Sequence, residues 1–390
     1  MRGVALLILG LGLSACESGE SSSSAGGGGA GAPGGGGAPS GGASGSGGNA
    51  GSAGSVDSGL GGAADSGTNI AFPELALAVS GSGFVTRAGA PFVPNQAISC
   101  CGGGYGWPLV DTAWIDFVRG YGVNWLHVRL GPWRTVPGAE DEWALVGGAY
   151  AEQGGLAVLE QFNPAFWAKL EELVSYAGTQ AMRVEIDVVD GWGLKHALSD
   201  DYGPKWPYHP WSAWNNSGGV DHVTAAGTLE IPAGSVYDAW VRKVAEHTCK
   251  YGNVTLEDGN EISLKQGYVP AFSQSIGNIY WDECKKRGFL LDGVPFRPLL
   301  GTQSESADTL SAPQIAYGEF HKDSAIAPSL CQGKPCGVNE YNPDPPLAPL
   351  ALASEVCAAR QAGTWFSYWR HGQSAAQMAE TLSLIQSGCP

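Results

Sequence analysis

From about residue 83 onward, two hydrophobic periods alternate along the chain. Short runs rich in Val, Ile, Phe and Trp read as strands. Between them lie stretches whose apolar residues recur every three or four positions, the spacing of one helix face. An entry hairpin is expected at 83–85 and 91–93. Strands are then expected over 94–98, 123–130, 182–189, 253–257, 296–301, 314–320, 337–340 and 364–369. The first helix spans 111–121, with Asp111 as cap and Trp114, Phe117 and Val118 on one face. The second opens on Asn163 and Pro164, a cap followed by a residue preset for the first turn. Its Phe166, Leu170, Leu173, Val174 and Ala177 keep helical spacing. Further helices are expected over 235–251, 270–287 and 349–361, with a last one ending near 387. Eight strands with helices between most of them predict a (β/α)8 barrel, an α/β fold built on one parallel sheet. The connections on either side of the sixth strand are poorly patterned, and no internal repeat is apparent.

The first seventy residues follow neither period. Of 60 glycines, 21 lie in residues 17–69, a stretch with no aromatic, Lys or Arg, whereas all 38 aromatics fall at or after Phe72. Such a segment buries too little apolar surface to offset its ordering entropy. It reads as a Gly/Ser-rich disordered tether with a root-mean-square reach of roughly 40 Å. Ahead of it, Arg2 precedes the apolar run 4–13. That run is shorter than the ~20 residues a membrane-spanning helix needs and has the form of an export signal. The expected domains are a signal peptide at 1–15, Cys16 with the tether at 16–69, and a catalytic or binding head at 70–390.

The net charge is −16, and from residue 70 on 33 acids face 20 bases. An acidic head argues against a nucleic-acid partner, whose binding rests on neutralising phosphates. Nine cysteines are present; setting Cys16 aside leaves eight. An even count in an exported chain favours disulfides, and neither Cys-x-x-Cys nor His-Glu-x-x-His appears, so no metal or cofactor is expected. Proximity pairs Cys331 with Cys336, Cys249 with Cys284 and Cys357 with Cys389. Cys100 and Cys101 then form a vicinal pair or join other partners.

The polar residues at strand ends suggest chemistry. The fourth strand leads to Gly259-Asn260-Glu261 and the seventh to Val338-Asn339-Glu340. The second ends in His127-Val128-Arg129, and the eighth is Trp365-Phe366-Ser367-Tyr368-Trp369. With the opening Phe84 and Gly89-Ala90-Pro91-Phe92, this set resembles the clan A glycoside hydrolases, the retaining TIM-barrel enzymes that include family-5-type cellulases and mannanases. The resemblance covers about residues 84–372. It departs from the family before Asn260, where Leu256-Glu257-Asp258-Gly259 lacks the usual aromatic. The segment Leu13-Ser14-Ala15-Cys16 resembles the bacterial lipobox, whose cysteine carries the lipid. It implies an anchor in the cell envelope, at the outer membrane or cell surface.

Retaining hydrolysis needs two carboxyl groups about 5–5.5 Å apart, one protonated and one ionised. The resemblance assigns Glu340 as nucleophile and Glu261 as acid and base. Arg129 would keep Glu340 ionised through a charge-assisted bond, and Asn260 would hold the sugar 2-hydroxyl. Trp369 offers a ring face to sugar C–H groups. Tyr317 or His321, on the sixth strand, would orient the nucleophile. His196 and Trp192 follow the third strand as subsite contacts. Trp206, Tyr208, His209, Trp211 and Trp214 form an aromatic loop, read either as a stacking wall for sugars or as a self-packed loop core. Glu257, Asp258, Glu305 and Glu319 are rivals for the carboxylate roles, and Glu257 is placed where it pairs inside the barrel. The expected function is a monomeric glycosidase acting on a β-linked poly- or oligosaccharide. The alternatives are an inactive barrel that binds glycans at the cell surface and a structural protein with no sugar ligand.

Overall fold

A computed structural model describes residues 68–99, 112–131, 148–189, 206, 209–222, 231–260, 270–303, 307–321, 328–339, 347–368 and 375–388. Eight parallel strands close into a barrel: β1 (Gln96–Ser99), β2 (Trp125–Arg129), β3 (Arg183–Asp187), β4 (Val254–Glu257), β5 (Leu300–Gln303), β6 (Tyr317–His321), β7 (Cys336–Asn339) and β8 (Trp365–Tyr368). Each strand pairs with its neighbours in sequence, and β8 returns to β1 through Ser367 opposite Gln96. The helices between them are α1 (Thr112–Gly120), α2 (Pro164–Thr179), α3 (Val236–Thr248), α4 (Pro270–Lys286), α5 (Ala307–Ser311) and α6 (Pro349–Gln361), and α7 (Ala375–Gln386) follows β8. The expected (β/α)8 barrel is therefore the observed architecture.

Local chemistry explains where the helices start. The Asn163 side chain accepts from the Ala165 N–H at 3.1 Å, and Pro164 opens α2. Ser235 accepts from the Asp238 N–H at 3.2 Å to start α3. Ile115 and Val118 face the core from α1, as do Phe166, Leu170, Leu173, Val174 and Ala177 from α2. The elements described in the two weakly patterned connections are short: α5 has five residues, and a four-residue 3-10 turn, Pro328–Cys331, precedes β7. Among the described residues there, too few turns exist to show a helical period.

Two local features differ from expectation. The fifth strand starts at Leu300 instead of 296, because the Phe296 backbone is bonded to a neighbouring hairpin. Its N–H bonds the Phe289 carbonyl beside the hairpin Phe289–Leu291 and Val294–Pro295, and Thr68–Asn69 pairs with that hairpin. A further hairpin, Tyr150–Gln153 with Leu156–Phe162, precedes α2 and was not foreseen. Its turn is Gly154-Gly155, with φ of 59° and 78°. Two central residues at positive φ suit the right-handed twist of paired strands, so this dipeptide was a usable signal.

The entry hairpin, with Leu77–Ser80 as a third strand, closes the amino-terminal end of the barrel. Phe84 and Phe92 pack on Trp125, Tyr317 and Trp365, which point inward from β2, β6 and β8. Glycines make room for these rings. A Cβ on Gly301 would lie 2.3 Å from the Tyr317 ring, and one on Gly337 would lie 2.3 Å from Trp365. Disulfides join Cys249 to Cys284, linking α3 to α4, and Cys331 to Cys336 before β7. Cys357 is also disulfide-bonded, while its expected partner Cys389, and Cys100 and Cys101, lie outside the described residues. Among the described residues no helix is long and apolar enough to cross a membrane.

The Trp365 contact makes Gly337 a packing position. Gly337→Ala should lower stability by about 1–3 kcal/mol through overpacking, read as an earlier urea midpoint, while Gly120→Ala at the exposed end of α1, where a Cβ meets nothing within 4 Å, should cost less.

Candidate active site

A closed barrel has an inner and an outer face, and alternate residues on each strand point inward. On β2 the inward residues are Trp125, His127 and Arg129; on β3 they are Arg183, Glu185 and Asp187. Register pairs His127 with Glu185, Arg129 with Asp187, and Asp187 with Glu257 of β4. These side chains, with Gln96 of β1 and Glu319 of β6, form polar rows above the aromatic plug, and each is buried.

His127 sits among four carboxylates. Its Nε2 lies 2.5 Å from Asp187 and 3.4 Å from Glu257, and its Nδ1 lies 3.3 Å from Glu319 and 3.6 Å from Glu185. The Gln96 amide donates to Glu319 at 3.0 Å and also to Glu185. Trp365 Nε1–H donates to Glu319 at 3.1 Å. The Tyr317 hydroxyl donates to Glu185 and lies 2.8 Å from the Leu256 carbonyl. Arg129, at the carboxyl end of β2, places Nε 3.7 Å from Asp187.

Burial and neighbouring charge set opposite protonation preferences in these rows. Burial disfavours the His127 cation, but Asp187 and Glu185 outweigh it and hold its pKa well above the ordinary value. Burial pushes Glu185 well above the usual carboxylate range, and Glu319 adds to this. Burial also raises Glu257, reinforced by the Asp187 charge. Asp187 is likewise buried, yet the charge and N–H of His127, with Arg129 behind, keep its pKa low.

Asp258 faces the other way, toward α4. It accepts the Gly259 N–H at 2.9 Å, the Gln303 N–H at 3.3 Å, the Thr302 hydroxyl at 2.8 Å and the Ser273 hydroxyl. Burial lifts its pKa to about 6 against the pull of these donors. One carboxylate thus ties the end of β4 to β5 and α4, just before the chain reaches Asn260. The Asn260 N–H bonds the Val189 carbonyl beyond β3 at 3.0 Å, and the residue is fully buried.

The sequence-derived site residues are brought together only in part. Arg129 and Asn260 occupy the carboxyl end of the barrel, at β2 and just past β4. His321 ends β6 directly opposite Asn339, the last residue of β7; their side chains are not among those described. Glu261, Glu340, His196, Trp192, Trp369 and Cys16 lie outside the described residues, as does the rival Glu305. Of the two residues considered for orienting the nucleophile, Tyr317 is misplaced for it. It is the first residue of β6, packed in the aromatic layer at the closed end, because the glycine at 301 admits its ring there.

Trp211 is also corrected. It is fully buried, donates to the Tyr150 hydroxyl at 2.9 Å and packs 4.3 Å from the Tyr237 ring. With Trp206 and His209 it forms the self-packed core of its loop, supported by the unforeseen hairpin and by α3. Trp214 of the same loop is 63 % exposed. The rivals Glu257, Asp258 and Glu319 are all sealed from solvent, so a glycosidic oxygen has no access to them. Glu257 does pair inside the barrel, as placed from sequence. The reading missed His127, Glu185 and Asp187 as interior groups. Their signal was alternation: Arg183-Val-Glu-Ile-Asp puts charges on one face of a strand that a barrel buries on both.

No protein-family model matches the sequence, and no curated protein matches it. Solved structures do. One, from Bacteroides vulgatus ATCC 8482 and assigned to the glycoside hydrolases, aligns over 80% of this chain and 60% of its own, with 13% identity and a TM-score of 0.52. The chain shares its barrel fold. It therefore spans about 60% of that neighbour's length. A family 5 glycoside hydrolase, a mannosidase from Rhizomucor miehei, aligns over 81% of this chain and 99% of its own, at 11% identity and a TM-score of 0.49.

The Asp258 node leads to a stability test. Asp258→Ala leaves four donors without their acceptor and should cost about 3 kcal/mol or more. Asp258→Asn, which still accepts on one oxygen, should cost less; equal urea midpoints for wild type and Asp258→Ala would refute the node.

Proposed function

We propose that the head is a retaining glycoside hydrolase acting on a β-linked glycan by double displacement. The observation that supports this best is positional. Asn260 follows β4 and Asn339 ends β7, at the same end of the barrel as Arg129, and a glutamate comes next in sequence after each asparagine. Barrel chemistry resides at that end. In this reading Glu340 attacks the anomeric carbon while Glu261 protonates the leaving oxygen. Glu261 then takes a proton from the water that releases the sugar, so the enzyme returns to its starting state.

The buried rows give Arg129 a fixed seat. Asp187 is held ionised by His127 and braces the guanidinium from below, which suits Arg129 to keep a neighbouring nucleophile charged. His321, at the carboxyl end of β6, takes the orienting role. Trp369 follows β8 by one residue and is assigned to sugar stacking, with Trp192 and His196 as contacts after β3. The exposed ring of Trp214 is available to a glycan, whereas Trp211 supports the loop from inside. We further propose that Cys16 carries a lipid and that the Gly/Ser-rich segment tethers the head at the outer membrane or cell surface.

The test is reducing-sugar release from a panel of β-linked glycans by the purified full chain. Glu340→Gln should lower turnover at least roughly a thousandfold. Glu261→Ala should spare aryl glycosides with good leaving groups, which need little acid assistance, while losing polysaccharide. Undiminished release by Glu340→Gln would sink the assignment. Glycan binding by the wild type without any release would support the inactive, glycan-binding barrel instead. For the anchor, Cys16→Ala should abolish incorporation of labelled fatty acid.

A further inference from the structure

The outer wall of the barrel carries a cleft of about 570 Å³ that hydrolysis at the rim does not use. One side of it is α4, where Asn278, Trp281, Asp282 and Lys285 recur at the spacing of one helix face. The other side is Val294 and Pro295 of the hairpin after α4, with Arg297 just beyond. That hairpin leads into the amino-terminal end of β5, whereas Arg129 and Asn260 stand at the carboxyl end of the barrel. The Trp281 ring is fixed by contacts within the chain. Its Nε1–H donates to the Pro298 carbonyl at 3.2 Å, and a Cβ on Gly277 would lie 3.1 Å from the ring. The Arg297 guanidinium lies 5.5 Å from the centroid of the same ring.

The cations facing this cleft differ from the rest. Every other Lys and Arg among the described residues has an ion-pair or hydrogen-bond partner. Among the described residues, Lys285 and Arg297 alone have neither, although acids outnumber bases 33 to 20 from residue 70 on. The exposed Asn278 amide is uncommitted as well. Asp282, the carboxylate of the lining, is already engaged: Lys286 bonds it at 2.7 Å and Arg242 at 3.2 Å. The side chains thus offer spare donors and no spare charged acceptor. Stacking on Trp281 uses the face of the Arg297 guanidinium and leaves its edge N–H groups for an oxyanion. Such a lining calls for a ligand that brings acceptors and negative charge.

We propose that this cleft binds a small organic anion, its phosphate, sulfate or carboxylate group held by Lys285, Arg297 and Asn278. A guanidinium edge matches an oxyanion with two parallel N–H groups, and the ammonium adds a point charge. The volume falls in the range of small-molecule sites and exceeds what an inorganic oxyanion fills. Trp281, Val294 and Pro295 supply apolar surface for the organic body, and Val294 is 60 % exposed. The site lies apart from the glycan site proposed above. It does not depend on glycosidase activity, and activity is not its readout.

The experiment titrates the full chain in a calorimeter at low ionic strength with glucose 6-phosphate, glucuronate, inorganic phosphate and, as the neutral control, glucose. At least one of the two organic anions should bind saturably at one site per chain, more tightly than inorganic phosphate, and glucose should not compete for it. Added salt should weaken that binding. Lys285→Ala and Arg297→Ala should each weaken it about tenfold or more, whereas Lys169→Ala, which removes a cation on α2, should bind as the wild type does. Both cleft side chains are exposed, so these variants should keep the wild-type Tm. No saturable binding of either organic anion, or variants that bind like the wild type, would overturn the proposal. Sedimentation with phosphatidylglycerol vesicles that needs Lys285 and Arg297, without binding of the free anions, would overturn it in favour of a membrane surface.

Discussion

The described polar side chains on the inner face of this barrel are buried, so they must satisfy one another. That constraint organises the molecule from the plug upward. Trp125, Tyr317 and Trp365 fill the closed end, and their polar atoms already reach into the barrel wall and the rows above. Gln96, Glu185 and Glu319 come next, then His127, Asp187 and Glu257, then Arg129. Each level is held by the one below. A change of charge at His127 is therefore felt by Arg129 through Asp187, with no movement of the backbone needed.

Side-chain volume is balanced by the same strands. Gly301 and Gly337 have no side chain to place inside, and the neighbouring rings of Tyr317 and Trp365 take up the space. The alternation of large and small residues around the bottom layer lets eight strands close on a filled interior. Outside the barrel, Asp258 and the Cys249–Cys284 disulfide fix α4 against its neighbours. The residues leading to Glu261 thus leave from a braced position.

Much of this was legible in the chain. Eight strands in order, the Asn163 and Ser235 caps, and two disulfides follow from local rules of period, capping and proximity. Where reading fell short, the cause was tertiary. Phe296 looked like part of a barrel strand because its β propensity is real; its backbone bonds a neighbouring hairpin instead. Tyr317 has the chemistry to orient a nucleophile, and only the register of β6 shows that its ring points toward the plug. Trp211 sits in an aromatic-rich loop like Trp214, and which of the two is covered depends on a hairpin sixty residues earlier in sequence. Buried charges were the hardest to see, since a Glu on a strand reads as exposed until the barrel closes around it.

The aromatic plug has a consequence for traffic. With Phe84 and Phe92 seated on three rings, the barrel is a blind-ended vessel. Among the described residues the plug closes one end, so a proton or water molecule exchanging with the interior rows is directed to the opposite mouth. That mouth is where Arg129 and Asn260 stand. Among the described residues, an occupant of the rim beside these two would therefore slow exchange with the rows below.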